Sequence, residues 1–169
     1  MHPLVNIAKD AIELYVREGK MLSSSDEHLS PDLRERAGVF VCLKINGNLR
    51  GCIGTFQPTE PSIAHETVRN AISAATCDPR FPIVRPEDLD RIEYTVDVLT
   101  PPEPVADMSA LDARRYGVIV QAGGRRGLLL PDIEGVDTVK EQIAIAMQKA
   151  GIPQGTPVNL FRFEVKRYT

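Results

Sequence analysis

An α+β fold, built from antiparallel or mixed sheets with flanking helices, follows from three observations on this sequence. Segments of hydrophobic period two and period 3.6 succeed one another in the order α, β, β, α, β, β, β, α, β, without the regular alternation of a doubly wound parallel sheet. Glycine turns at Asn46-Gly47-Asn48 and Gly123-Gly124 join neighbouring strands as hairpins. The chain has 169 residues, 43% hydrophobic and 25% charged, which suits one soluble domain spanning 1–169 with room for two sublobes whose boundary the sequence does not mark.

Each element has its own signal. Leu4, Ile7, Ala8, Ala11 and Tyr15 share one helical face, so residues 4 to about 18 form an amphipathic helix that Gly19 ends. The polar run Ser23-Ser24-Ser25-Asp26-Glu27-His28, with Pro31 close behind, reads as a surface loop free to move. Apolar residues at 39, 41, 43 and 45 alternate as a strand, and a second strand runs from Leu49 to Phe56. A two-residue turn between them mixes polar with apolar side chains on both faces, so a three-residue loop is expected, pairing Ile45 with Leu49, Leu43 with Gly51 and Cys42 with Cys52. Thr59 or Glu60 starts a helix with Pro61 in its first turn, and its buried stripe, from Ile63 to Ala75, ends before Asp78-Pro79-Arg80-Phe81-Pro82. Strands follow at 92–100, 116–122, 125–130 and 158–166, with the proline-rich Pro101-Pro102-Glu103-Pro104 as a breaker. Thr138 and Glu141 have capping-box spacing before a helix that Gly151 closes. A helix after a hairpin occurs twice, which hints at two similar halves.

Lys plus Arg number 20 against 23 Asp plus Glu, a net charge of −3, so a nucleic-acid partner is not expected. No apolar run is long enough to span a membrane, and the first residues lack the pattern of a signal peptide, which points to the cytoplasm. Three cysteines, Cys42, Cys52 and Cys77, match neither a disulfide framework nor a zinc motif and fit a reducing compartment.

The segment Leu49-Arg50-Gly51-Cys52-Ile53-Gly54 is the most informative. Two glycines inside a strand suggest close approach by a backbone or a ligand. Arg50 and Cys52, at i and i+2, share a face about 6–7 Å apart, where a guanidinium favours a thiolate and makes Cys52 a candidate nucleophile or redox thiol. Cys52 also reads as a small buried hydrophobe. Asp78 and Arg80 flank Pro79 as either an internal pair or a ligand site. Arg114, Arg115, Arg125 and Arg126 fall in a stretch, 113–131, without an acidic residue, so Arg125 and Arg126 around the glycine hairpin are candidates for a small anionic ligand, or simply solvated hairpin charges. No metal site is expected, because His65-Glu66-Thr67-Val68-Arg69 starts like a zinc-protease motif and ends on Arg69. No motif names a cofactor.

Together, the Leu49–Gly54 segment, Asp78-Pro79-Arg80-Phe81-Pro82, Leu99-Thr100-Pro101-Pro102-Glu103-Pro104 and Gly127-Leu128-Leu129-Leu130-Pro131 resemble the AMMECR domain family over nearly the whole chain, through Phe161-Arg162-Phe163. Val136-Asp137-Thr138-Val139 is similar to the bacterial branch called AmmeMemoRadiSam system protein A. The resemblance implies two unequal lobes around a cleft, Arg50, Cys52, Asp78 and Arg80 as site residues, and association with a Memo-like protein and a radical-SAM protein. It names no reaction. The function expected is that of an enzyme or enzyme subunit in a modification pathway; the alternative is a noncatalytic binding or scaffold module.

Overall fold

The computed structural model describes residues 1–23, 27 and 29–169, so Ser24 to Asp26 and His28 of the expected polar loop lie outside the described residues. The fold is α+β. The chain forms two compact units, Met1–Leu99 with Lys166–Thr169, and Thr100–Val165. The first holds α1 (Pro3–Glu18), β1 (Val39–Ile45), β2 (Asn48–Thr55), α2 (Ile63–Thr76) and β3 (Ile92–Leu99). The second holds β4 (Glu103–Val105), β5 (Gly117–Ala122), β6 (Arg125–Leu129), α3 (Val139–Ala150) and β7 (Asn159–Phe163); β8 (Val165–Tyr168) returns to the first. The sheets run β2-β1-β3-β8 and β4-β7-β5-β6. The ladders β1–β2, β1–β3, β4–β7, β5–β6 and β5–β7 are antiparallel.

Val39, Val41 and Leu43 of β1 and Tyr94 and Val96 of β3 face the first core, where Leu4, Ala8 and Ile12 of α1 and Ala64, Val68 and Ala71 of α2 cover them. The second core gathers Val118, Val120 and Leu129 beneath Ala146 and Met147 of α3. Helix ends follow local chemistry. Gly19 and Gly151 close α1 and α3 in the left-handed conformation. Ser62 accepts the His65 amide and starts α2 two residues after Pro61, while Thr138 and Glu141 form the expected capping pair.

Three strand expectations need correction. The β1–β2 turn has two residues, Asn46 (φ 52°) and Gly47 (φ 77°), both in the left-handed region that a tight hairpin of matching twist requires. Ile45 therefore pairs with Asn48 and Lys44 with Leu49; Arg50 then bulges out, so that Leu43 still meets Gly51 and Cys42 still meets Cys52. The proline-rich stretch contains β4, a three-residue edge strand in which Pro104 needs no ladder donor. The last strand is two, because Glu164 exchanges hydrogen bonds with Thr100: its N–H donates to Thr100 Oγ1 at 2.8 Å and its carbonyl accepts the Thr100 N–H at 2.9 Å.

Both units repeat one plan. In sheet order, β2-β1-β3 and β6-β5-β7 are the same hairpin–helix–strand arrangement. In each, a glycine of the second strand lies under a helix carbonyl: a Cβ at Gly51 would collide with the Ala74 carbonyl oxygen, and one at Gly127 with that of Ala146. Gly51→Ala and Gly127→Ala are each expected to cost about 1–3 kcal/mol through overpacking. Gly124→Ala, which meets open space, should stay within about 0.5 kcal/mol of the parent in denaturant unfolding. Equal stability of the three variants would refute the close-approach account.

Candidate functional site

The site grows from one position on an edge strand. Cys52 lies opposite Cys42 with a Cα–Cα distance of 4.1 Å, the close spacing of a non-hydrogen-bonded antiparallel pair. The backbone N–H and C=O of Cys52 therefore point away from β1, toward the open side of β2. The loop after α2 meets them there. Asp78 Oδ2 accepts the Cys52 N–H at 3.0 Å, and Arg80 Nη2 donates to the Cys52 carbonyl at 3.4 Å. Arg80 is bound to the same carboxylate through Nη2 at 2.7 Å, Nε at 3.0 Å and its own backbone N–H at 3.1 Å. Asp78 is only 5% exposed, a burial that charge-assisted donors on both oxygens make tolerable. The Arg80 side chain holds the Asp78 carboxyl well below the usual carboxylate range, outweighing the opposing effect of burial, and Asp78 in turn raises Arg80.

Arg50 completes the clasp from the other side. It sits in the bulge, where the ladder's simple alternation is interrupted. Its Nη1 donates to the Pro82 carbonyl at 2.7 Å, and its Nη2 lies 3.6 Å from Asp88 Oδ2. Asp88 also accepts the Arg85 backbone N–H at 3.1 Å and an Arg91 guanidinium hydrogen bond at 2.7 Å, and these donors, the Arg85 amide foremost, lower its pKa. The two most distinctive sequence segments, 49–54 and 78–82, thus bind each other.

The cysteine spacing matches no disulfide framework, yet two of the three cysteines are bonded. Cys42 and Cys52 form a disulfide, since the hairpin register sets them face to face; Cys77 is free and exposed at the end of α2. The pair lies on the sheet face opposite Val39, Val41 and Leu43, half-buried beside the Phe40 ring, which lies across Gly54.

Cys52, Arg50, Asp78 and Arg80 are brought together. Arg125 and Arg126 belong to the second unit, on β6, where Arg125 Nη1 donates to the Gly151 carbonyl and Arg126 Nη2 to Gln121 Oε1 at 3.0 Å. Arg114 and Arg115 find Asp137 and Glu164, acids from outside the basic stretch. Two of the four positive charges of that stretch are thus balanced in space by acids distant in sequence. His65 Nδ1 lies 2.8 Å from Ser62 Oγ at the start of α2. Among the described residues, no group of three or more His, Cys, Asp and Glu is placed to hold a metal ion, and no helix is long and apolar enough to cross a membrane.

Sequence reasoning missed Glu66. It is fully buried and accepts from Thr55 Oγ1 at 2.7 Å and from the Thr59 N–H at 2.8 Å, while Asn70 Nδ2 donates to the Val39 carbonyl at 2.8 Å and to Thr55 Oγ1 at 3.1 Å. The signal was present: positions 63, 66, 67, 70 and 71 form one helical face, so Glu66 and Asn70 stand in the buried stripe.

The clasp predicts a pH-dependent stability. Asp78→Asn should cost about 2 kcal/mol at neutral pH, the scale of hydrogen bonds to a charged group. Because the folded carboxyl titrates below its unfolded value, its contribution is fully present above about pH 4 and is lost as pH falls through the folded value. Denaturant curves for parent and variant should converge on acidification; a constant gap between neutral and acid pH would contradict the clasp.

The sequence profile of the AMMECR1 family matches residues 5–168. A Thermotoga maritima protein is 58% identical over 99% of this chain and 97% of its own length. A Methanothermobacter thermautotrophicus protein is 47% identical over 89% of this chain and 81% of its own. A Clostridium acetobutylicum protein is 42% identical over 98% of this chain, yet the match spans only 36% of that longer protein. Among solved structures, the crystal structure of an uncharacterized protein from Pyrococcus horikoshii superposes with a TM-score of 0.88 at 35% identity, covering 97% of this chain and 88% of that one. With the fold, the matched residues and these relatives in agreement, the chain belongs to the AMMECR1 family.

Proposed function

We propose that the domain is a thiol–disulfide subunit, in which Cys42 and Cys52 cycle between disulfide and dithiol in the service of a modification pathway. The observation that carries this reading is the placement of the two sulfurs, opposed across a hairpin on a half-buried sheet face, with the Cys52 backbone fixed by Asp78 and Arg80. An external dithiol supplies two electrons and two protons, breaking the Cys42–Cys52 bond. The Cys52 thiolate then attacks a disulfide R–S–S–R′ of a partner, forms a Cys52–S–S–R mixed disulfide and expels R′S⁻. Attack by the Cys42 thiolate on the Cys52 sulfur expels RS⁻ and restores the starting bond. The partners assigned are a Memo-like protein and a radical-SAM protein, from the resemblance to the AmmeMemoRadiSam branch. A domain that is nearly all of the Thermotoga relative and about a third of the Clostridium one supports a role beside other components.

A second reading is a noncatalytic scaffold. What favours it is that Arg50, Asp78 and Arg80 spend their hydrogen bonds within the protein.

The two readings part on one experiment. Reduced protein is mixed with oxidised glutathione, and each cysteine is mapped by mass spectrometry. Cys42→Ser should accumulate glutathione on Cys52, whereas the parent should resolve to the Cys42–Cys52 disulfide without a lasting adduct. If Cys52 stays unmodified in Cys42→Ser, or Cys52→Ser supports full function in cells while folding normally, the scaffold reading replaces the redox one. Affinity purification with abundance-matched controls tests the partners separately, and recovery of neither protein counts against them.

A further inference from the structure

The segments 99–104 and 161–163, prominent in the sequence, play no part in the clasp or the disulfide. In the second unit they help to enclose a polar cleft of about 370 Å³, toward the small end of the roughly 300–1,000 Å³ range of small-molecule sites. Among its lining residues are Glu103, Arg115, Tyr116, Arg162 and Glu164. Arg162 on β7 pairs in register with Glu103 on β4, its Nε donating to Glu103 Oε1 at 2.6 Å and its Nη1 to the Ala110 carbonyl at 2.8 Å. Arg115 Nε donates to Glu164 Oε1 at 3.1 Å. Both guanidinium carbons lie over the Tyr116 ring, at 4.8 Å for Arg115 and 4.4 Å for Arg162, so the ring helps to hold both cations at the cleft. Glu164 is fixed by its own N–H, which donates to Thr100 Oγ1, and by its carbonyl, which accepts the Thr100 N–H.

This arrangement leaves particular atoms for a ligand. The Arg115 side chain is 66% exposed and is hydrogen-bonded, among the described residues, through Nε alone. Its two Nη groups form a fork that matches a carboxylate. Glu103 and Glu164 each use Oε1 for an arginine, and each keeps Oε2 for a donor. Two arginines against two glutamates sum to zero formal charge. A lone anion meets both carboxylates and a lone cation both guanidiniums, whereas a molecule carrying both charges satisfies both sets.

We propose that this cleft binds a small zwitterion of the amino-acid or dipeptide class, its carboxylate on the Arg115 fork and its ammonium on the free oxygens of Glu103 and Glu164. The site is independent of the cysteine pair and stands or falls without it.

Amide NMR titration of the full chain tests the proposal with three probes that differ only in charge. Dialanine carries both charges, N-acetylalanine only the carboxylate, and alaninamide only the ammonium. At up to ~10 mM, enough to fill a millimolar site, dialanine should give saturable shifts centred on residues 103, 115, 116 and 164. Each capped probe should bind about tenfold more weakly, and Arg115→Ala should weaken dialanine by a similar factor, each tenfold being about 1.4 kcal/mol. Absence of saturable shifts, shifts centred elsewhere, or a response to either capped probe as strong as to dialanine overturns the proposal. The probe comparison runs on the unmodified chain, so it decides the matter even if a variant fails to fold.

Discussion

The hydrogen bond from the Cys52 amide to the buried Asp78 carboxylate is the constraint around which the first unit is organised. An edge strand presents N–H and C=O groups that another chain can pair with. Here a carboxylate and a guanidinium take the place of a neighbouring strand over one residue. The consequences run in several directions. The loop that supplies Asp78 is drawn onto the edge of β2, which brings the Pro82 carbonyl within reach of Arg50. The end of α2 is held so near β2 that only glycine fits at position 51. The bonds that hold Cys52 at this edge engage its backbone, while its sulfur is bonded to Cys42.

The second unit solves the same edge problem with other groups. Lys149 from α3 donates to the Leu128 carbonyl on the edge strand β6, and β4, at the far edge, is three residues long with a proline at its centre. Two units of one topology therefore protect their edges by different chemistry. In both, a phenylalanine ring lies where a register partner has no side chain, Phe40 over Gly54 and Phe163 over Gly117. A shared backbone plan survives with little shared sequence because the requirement at these points is space, and glycine meets it in any context.

Much of the fold was legible because hydrophobic period and caps are local. α1, α2 and α3 could be read from stripes and terminal residues, whereas the Cys42–Cys52 pairing, expected from a three-residue turn, comes instead from a two-residue turn and a bulge. What escaped was decided by partners distant in sequence. The bulge at Arg50 cannot be seen in a pattern of alternation, nor can the partners of its guanidinium, the Pro82 carbonyl and Asp88. The positive stretch 113–131 looked unbalanced until Asp137 and Glu164 folded beside it. Glu164 reads as one more strand residue, yet its bonds to Thr100 divide the strand in two. The candidate site was legible only in its members Arg50, Cys52, Asp78 and Arg80, which hydrogen bonds gather within the first unit. It was not legible as a clasp, since hydrogen-bond direction is invisible in a string of letters.

The separation of β7 from β8 also bears on the order in which the protein is made. Asp97, 1% exposed in β3, receives two hydrogen bonds from Arg167, at 2.8 and 2.7 Å, and those two residues are 70 positions apart. The entire second unit is translated between them. Until β8 has emerged, β3 lacks its outer neighbour and Asp97 its counter-charge, and a buried carboxylate without one is costly. The second unit, contiguous from 100 to 165, has all its strands once it leaves the ribosome. Domains are commonly completed from the N-terminus onward; here the unit whose synthesis begins first receives its last strand only after the chain of the other has been made.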